Sequence, residues 1–497
     1  MKINQSRRNF IQSSAGVSAI ALCPGLSWSS SKPSYNPLPI PELLTANRKN
    51  GFAAFELNAQ YGTSRFFAGV DTPTLGYNGN YLGPTIRVKN GEKVKISVNN
   101  KLNEITTVHW HGMILPARMD GGPHQEIKSR EQWKSEFAIK QPAATLFYHS
   151  HAHRNTGPQV YGGLAGLMII DEESGGADLP SEYGIDDIPV LLQDRDFAND
   201  GSLQYLNFMP EQMIGKHGKT LLVNGALSPV FKAKKPLLRL RMVNASNARF
   251  YNLVFNDRRS FQIIASDGGL LDKPVTLNRL VIAPAERYEI LVDLSDRKRV
   301  MLQSVGGVGN TNHGPMGMMG MDKTFDVLLI DAEKSKSANI KTPQELVTYP
   351  DWSQVPITAN RSFALQMGMG GMMGGRMGRG GMSDGMMRIN NQSFDMGRID
   401  FAMKIDSYEI WEISNPSPVI HPFHVHNTQF RVLSRNGNRP YATESGFKDT
   451  VVVHPNEFVR ILIPTGPYAD ARHPYMYHCH ILEHEDGGMM GQFVVDT

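Results

Sequence analysis

The stretch YNGNYLGPTIRVKNGEKVKISVNN, residues 77–100, shows how the chain is built. Between its turn signals, Val94, Ile96 and Val98 alternate with Lys95, Ser97 and Asn99. Successive side chains of a strand point to opposite faces, so a period of two marks a half-buried strand. The same plan returns twice. LVNGALSPVFKAKKPLLRLRMVNAS (222–246) opens on an Asn-Gly turn, and its Leu238, Leu240 and Met242 alternate with Arg239, Arg241 and Val243. RINNQSFDMGRIDFAMKIDSYEIWEISN (388–415) opens on Asn-Asn and likewise ends in Asn. Long amphipathic helical runs are scarce. The chain therefore reads as all-β, with three related units built as Greek-key sandwiches or barrels.

Three units of roughly 150 residues fit the 497-residue length. The junctions fall near DEESGGADLPSEYGIDD (from Asp171) and DAEKSKSANIKTPQELV (from Asp331), both polar and containing Pro or Gly. The expected units are 35–172, 185–333 and 345–497. Residues 1–31 are set apart. There Arg7, Arg8 and Phe10 precede a short, weakly apolar run ending near Leu26, which reads as a twin-arginine export signal and places the mature chain in a periplasm. Pro24, Gly25 and the brevity of that run argue against a membrane span, and no other stretch is long and apolar enough for one. Cys23 leaves with the signal, so Cys479 is the mature chain's only cysteine. It has no partner for an intramolecular disulfide, and is expected to be buried, reactive or metal-bound.

The net charge is +4 with no dense Lys/Arg run, which argues against nucleic acid as the main partner. The informative excesses are 25 Met and 16 His, both residue types that ligate copper. The histidines are patterned. His109/His111, His149/His151, His424/His426 and His478/His480 are four His-x-His pairs, two in the first unit and two in the third. LFYHSHAH matches YMYHCHILEH, and TVHWHG matches PFHVHN. The middle unit has no such pair. His217 is isolated, His313 sits in a Gly/Met segment, and this unit reads as a spacer. Each pair presents two imidazoles on one side of a strand, so eight converge as a metal site. Imidazole suits Zn, Cu, Fe and Ni.

Cys479 chooses among these metals. It lies between His478 and His480, so its thiol points to the opposite face. Its candidate partners there are His421, His484 and Met489. Two His, one Cys and a distant Met are the blue-copper set for electron transfer. Eight imidazoles suit three further copper ions, and the four together store the four electrons that take O2 to water. His124, His153, His454 and His473 are expected in surface or supporting roles.

With these motifs the chain resembles the three-domain multicopper oxidases. HWHG, HSH, HPFHVH and HCHILEHEDGGMM match that family's copper signatures in order and spacing, over nearly the whole mature chain. The resemblance implies cupredoxin-like domains and four copper ions. His109 and His424 would hold the type 2 ion. His111, His149, His151, His426, His478 and His480 would hold the type 3 pair. His421, Cys479, His484 and Met489 would hold type 1. Ser150 and Leu164 stand where Cys479 and Met489 would, so the first unit should lack a type 1 ion. Asp120 and Glu485 resemble the family's proton-relay acids; their other reading is hydrogen bonding that only orients histidines.

MGMGGMMGGRMGRGGMSDGMM, residues 367–387, has no aromatic or β-branched residue and too much Gly for a helix. A second cluster, MGMMGM, begins at Met316. Thioethers select Cu(I), and Met-rich inserts make the chain resemble the periplasmic copper-efflux oxidases. The implied reaction oxidises Cu(I) to Cu(II) at the expense of O2. A laccase-like oxidation of small organic reductants, and a non-catalytic copper-sequestering or envelope scaffold, are the competing readings. Where the efflux oxidases carry an acid and a methionine before the first type 1 histidine, this chain has Ser417 and Val419. Candidate ligands for a substrate copper are Met367, Met369 and Met372. A monomer is expected.

Overall fold

The computed structural model describes residues 35–171, 178–206, 209–306, 323–335, 342–368 and 385–497. The expected export signal with Cys23, the cluster at Met316, and Met369 and Met372 lie outside them.

Among the described residues of Tyr35–Thr497, six sheets form an all-β body, drawn in pairs from successive stretches of chain. In the first pair, Lys93–Asn100 lies between Phe52–Phe67 and Gln132–Ala138. Val94, Ile96 and Val98 face a core that also holds Trp110 and Tyr148. Tyr408–Asn415 alternates in the same way around the buried Trp411 and Ile413.

The middle stretch departs from the expected alternation. Leu237–Asn244 is buried on both faces from Leu238 onward, Arg239 and Arg241 included. Arg241 pairs with Asp187 and Glu289, and Arg239 pairs with Glu289. A buried guanidinium is tolerated only when paired and hydrogen-bonded. These arginines face the neighbouring stretch rather than solvent: Arg241 Nη1 donates to Thr145 Oγ1 at 2.9 Å. An apolar seam of Phe147, Leu167 and Ile169 with Leu191, Val243 and Ala285 runs beside them. Asn36–Pro37 also joins a middle sheet, parallel to Pro229–Lys232.

Two strand ladders position the site. His109–His111 runs antiparallel to Ala144–His149, with His109 opposite His149. His421–Val425 runs antiparallel to Asp470–Cys479, with Phe423 opposite Cys479 and His424 opposite His478. Among the described residues, no helix is long and apolar enough to cross a membrane.

Candidate metal centre

The pleat sorts the donors onto two faces. Residues opposite one another in an antiparallel ladder share a face, as do residues two apart on one strand. Cys479 therefore shares a face with Phe423 and His421, while His478 and His480 share the other with His424 and His426. All eight paired histidines are buried, as are His421, Cys479, His484 and Met489.

On the first face, His421 Nδ1 lies 3.3 Å and His484 Nδ1 3.6 Å from Cys479 Sγ, and the two nitrogens are 3.2 Å apart. Each ring is tied at its far nitrogen. His421 Nε2 is 2.7 Å from Ser417 Oγ, whose own proton goes to Asn415 Oδ1. His484 Nε2 donates to the carbonyl of Met213, in the short helix Met209–Ile214 of the middle stretch. Both Nδ1 lone pairs therefore aim at the sulfur. Burial holds the Cys479 thiol above its ordinary range, so only a bound cation would make it a thiolate. The backbone N–H of Ile481 donates to the same sulfur at 3.4 Å. Met489 packs in the core around Cys479, and its backbone closes the turn, accepting from Cys479 N and donating to His484 O.

On the opposite face, the first and third stretches interdigitate. His109 stacks on His426 and His111 on His424, with ring centroids 3.8 and 3.7 Å apart. Ligand-capable atoms gather in triplets: His111 with His149 and His480, His151 with His426 and His478, and His109 and His424 with His111. Most rings are held at Nδ1. His109 donates to the Asp120 carbonyl, His149 to the Ser150 carbonyl, His424 to the Asp449 carbonyl, and His478 to the Cys479 carbonyl. His109 Nε2 and His424 Nε2 have no hydrogen-bond partner among the described residues. Buried polar atoms are normally satisfied, so orphaned imidazole nitrogens pointing at one another fit a metal. Burial and neighbouring rings hold His109, His151, His426, His478 and His480 well below the ordinary histidine range, so the rings are neutral, as ligands must be.

The two expected acids sit between the stretches. Asp120 Oδ2 accepts from His426 Nδ1 at 2.7 Å, and its Oδ1 lies 3.5 Å from His109 Nδ1. Glu485 places one oxygen 3.2 Å from His151 Nδ1 and the other 3.2 Å from His478 Nδ1, both poorly aligned for hydrogen bonding. Burial pushes both carboxyls well above the usual range, with Asp486 adding to the shift at Glu485.

Other sequence expectations land beside the site. Ser417 is the support of His421, and Val419 is buried in the same core. Met367 ends its strand opposite Met387, half-buried against the core that holds Cys479. Of the extra histidines, His124 bonds Gln492 and His473 bonds Asp470. Sequence reasoning missed Asp449, whose Oδ1 lies 3.1 Å from His111 Nε2, and the middle-stretch groups that reach it.

One mixed nitrogen and sulfur site and one all-nitrogen site, joined by one tripeptide, are the setting for the comparisons. Multicopper oxidase profiles match residues 58–175, 211–316 and 369–497. Multicopper oxidase mco of Staphylococcus aureus is 38% identical over 468 residues, 93% of this chain and 92% of that one. The chain belongs to the multicopper oxidase family. The oxidase is also 35% identical over 499 residues to the cell division protein FtsP of Proteus mirabilis, covering 99% of this chain and 98% of that one. The solved structure of CueO, a laccase-like multicopper oxidase from an Ochrobactrum species, matches with a TM-score of 0.82 at 37% identity. That match covers 92% of this chain and all of the other, an enzyme described as having oxidase activity towards lignin model compounds and lignosulfonate. The oxidase is thus a three-domain, cupredoxin-like oxidoreductase whose cofactor is copper, four ions in this family.

Proposed function

We propose that the chain is a cuprous oxidase of copper tolerance, coupling oxidation of Cu(I) to Cu(II) with reduction of O2 to water. In this reading it works in the periplasm after twin-arginine export, as units 35–172, 185–333 and 345–497. One observation carries it. The Met-rich segment leaves and re-enters the fold beside the cysteine site. Met367 and Met387 face one another across a strand pair. Met387 is buried in the core that holds Cys479 and Met489. A Cβ on Gly487, next to the helix Leu482–Asp486 that bears His484, would come within 2.9 Å of the Met387 side chain. A donor gathered by thioethers would be delivered at this edge, and thioethers favour Cu(I).

In this reading His421, Cys479, His484 and Met489 hold the type 1 ion. His109 and His424 hold type 2, and His111, His149, His151, His426, His478 and His480 hold the type 3 pair. Copper at these positions supplies one-electron acceptance from the donor and four-electron reduction of O2. The chain supplies the rest. Ser417 and the Met213 carbonyl fix the His421 and His484 rings. The backbone on either side of Cys479 joins the two donor sets covalently. The Asp120 and Glu485 carboxyls, which burial holds towards the protonated form, lie beside His426, His151 and His478, ready to supply the protons that O2 reduction consumes. Ser417 offers no carboxylate for a substrate ion, so such an ion would rest on methionines, Met367 among them.

Laccase-like oxidation of organic donors is the second reading, favoured by the likeness to the Ochrobactrum enzyme. The likeness to FtsP raises a scaffold role, but a non-catalytic relative has no need of a complete, buried donor set. Oxygen uptake by the copper-loaded protein separates these readings, with chelated Cu(I) and then dimethoxyphenol as donor, each with and without excess Cu(II). Fast uptake with Cu(I), and phenol turnover only with added Cu(II), is the expected result. Phenol turnover without Cu(II) and little with Cu(I) overturns it in favour of a laccase, and no uptake with either favours a scaffold.

A further inference from the structure

The middle stretch contributes no expected copper ligand, yet one of its side chains reaches the histidine cluster. We propose that Arg287 is a positioning residue for that cluster, acting through Asp449 on His111 and His424. The inference rests on the reading of the eight histidines as a copper site.

Asp449 stands just ahead of the strand Thr450–Val453 and touches two of the eight histidines. Its Oδ1 is 3.1 Å from His111 Nε2, and its carbonyl accepts from His424 Nδ1 at 2.8 Å. His111 is thereby tied at Nε2, whereas His109, His149, His424, His426 and His478 are tied at Nδ1. The tie turns His111 Nδ1 inward, 3.3 Å from His149 Nε2. Ring orientation at His111 thus depends on where the Asp449 carboxylate sits.

Arg287 sets that place. Its Nη1 donates to Asp449 Oδ1 at 2.7 Å and its Nη2 to Oδ2 at 2.5 Å, a two-pronged pair with both partners fully buried. The other donors are committed as well. Nε goes to the Thr145 carbonyl, Nη1 to the Ala285 carbonyl and Nη2 to the Asp267 carbonyl. All five N–H groups of the guanidinium are used, and a lysine could supply neither the number nor the fork. Thr145 lies on the strand that ends in His149, so one side chain of the middle stretch grips a strand of the first and a carboxylate of the third. The neighbouring Lys448 is gripped in turn by Asp267 and Glu286 of the middle stretch.

A second feature agrees independently. Gly112 follows His111 with φ of +87°, and a Cβ there would come within 2.6 Å of Arg287 Nη2 and 2.8 Å of Asp449 Oδ2. The glycine of HWHG leaves the room that the pair occupies.

The test uses copper-loaded full-length protein and the variants Arg287→Lys and Asp449→Asn, the second keeping shape while removing the charge. Readouts are copper content, the blue absorption of the cysteine site, the EPR-visible fraction of copper, and steady-state kinetics. A magnetically coupled copper pair is EPR-silent, so misplacing His111 should raise the visible fraction. The expected result is an unchanged blue band, a higher EPR-visible fraction or lost copper, a kcat lower by about 10-fold or more, and an unchanged donor KM. If Arg287→Lys fails to fold, the same changes are expected from Asp449→Asn. Variants with wild-type EPR, copper content and kcat, differing only in thermal midpoint, overturn the proposal. A wild-type protein with no EPR-silent copper would instead overturn the copper reading beneath it.

Discussion

Remove the copper with a chelator and lower the pH from 7.5 to 4.5, and the folded state should weaken sharply. In the metal-free chain, burial pushes His149 down to about 3 and His484 to about 4. His217, outside both sites, is also pushed down to about 4. An unfolded histidine titrates near 6.5, at about 1.4 kcal/mol per pKa unit. For these groups the folded value is the lower one. The unfolded chain therefore binds more protons below pH 6.5, and stability falls as pH falls towards the folded values. At pH 4.5 each histidine costs about 2.5 kcal/mol relative to pH 7.5. Asp486 works in the opposite sense. Burial raises it to about 7, so the folded chain takes up that proton first and acidification returns about 3 kcal/mol. The net loss from these four groups is about 4–5 kcal/mol, comparable with the whole stability of many proteins. Seven further site histidines, His109, His111, His151, His421, His426, His478 and His480, are also held well below their ordinary value. They outnumber the other buried carboxyls that shift upward, Asp120, Asp186, Glu286, Glu483 and Glu485. The assay is denaturant unfolding followed by tryptophan fluorescence at pH 7.5, 6.0 and 4.5, with and without copper. Copper-loaded protein should resist acid, because protons and metal compete for the same nitrogens. A copper-free protein as stable at pH 4.5 as at 7.5 would refute the reasoning.

Cys479→Ser should remove the blue absorption and oxidase turnover while the histidine-held copper remains; metal analysis and oxygen uptake check this, and normal turnover would contradict the two-site arrangement. Replacing residues 369–384 with a short Gly-Ser turn should lower Cu(I) oxidation more than phenol oxidation, and equal losses would assign that segment a structural role. Asp120→Asn should lower kcat by about 100-fold and alter its pH profile while leaving donor KM unchanged; a change confined to KM would show that the acid does not serve proton movement.

The strand pattern around Val94, Ile96 and Val98 was legible because one face meets the core and the other meets water. The same pattern misleads at Arg239 and Arg241, where ion pairs substitute for solvent. Paired histidines announce their convergence, since spacing along one strand fixes their faces. The supports of those histidines do not. Asp449 lies in KDTV, a stretch whose spacing carries no signal, and it meets Arg287 across a sequence separation of 162. Met213 supports His484 through a backbone carbonyl, which any residue possesses and no sequence pattern can report. Ser417 stood out as a departure from the efflux oxidases, while its service to His421 emerged only from the distance between them.

The opposed faces of the His421–Val425 and Asp470–Cys479 ladder bear on how such a protein can change. One residue inserted or lost within either strand would turn sulfur towards the nitrogen cluster and imidazole towards the sulfur. No gradual path lengthens or shortens the interval between the two centres, because the pleat admits only whole steps. The segment between Met367 and Met387 is under no such rule: it can grow, shrink or trade methionine for another chemistry without moving a ladder bond outside its own hairpin. Selection can therefore rewrite what is admitted at the outer edge while the gearing behind it stays locked, and divergence among relatives should collect in that insert and spare the ladder.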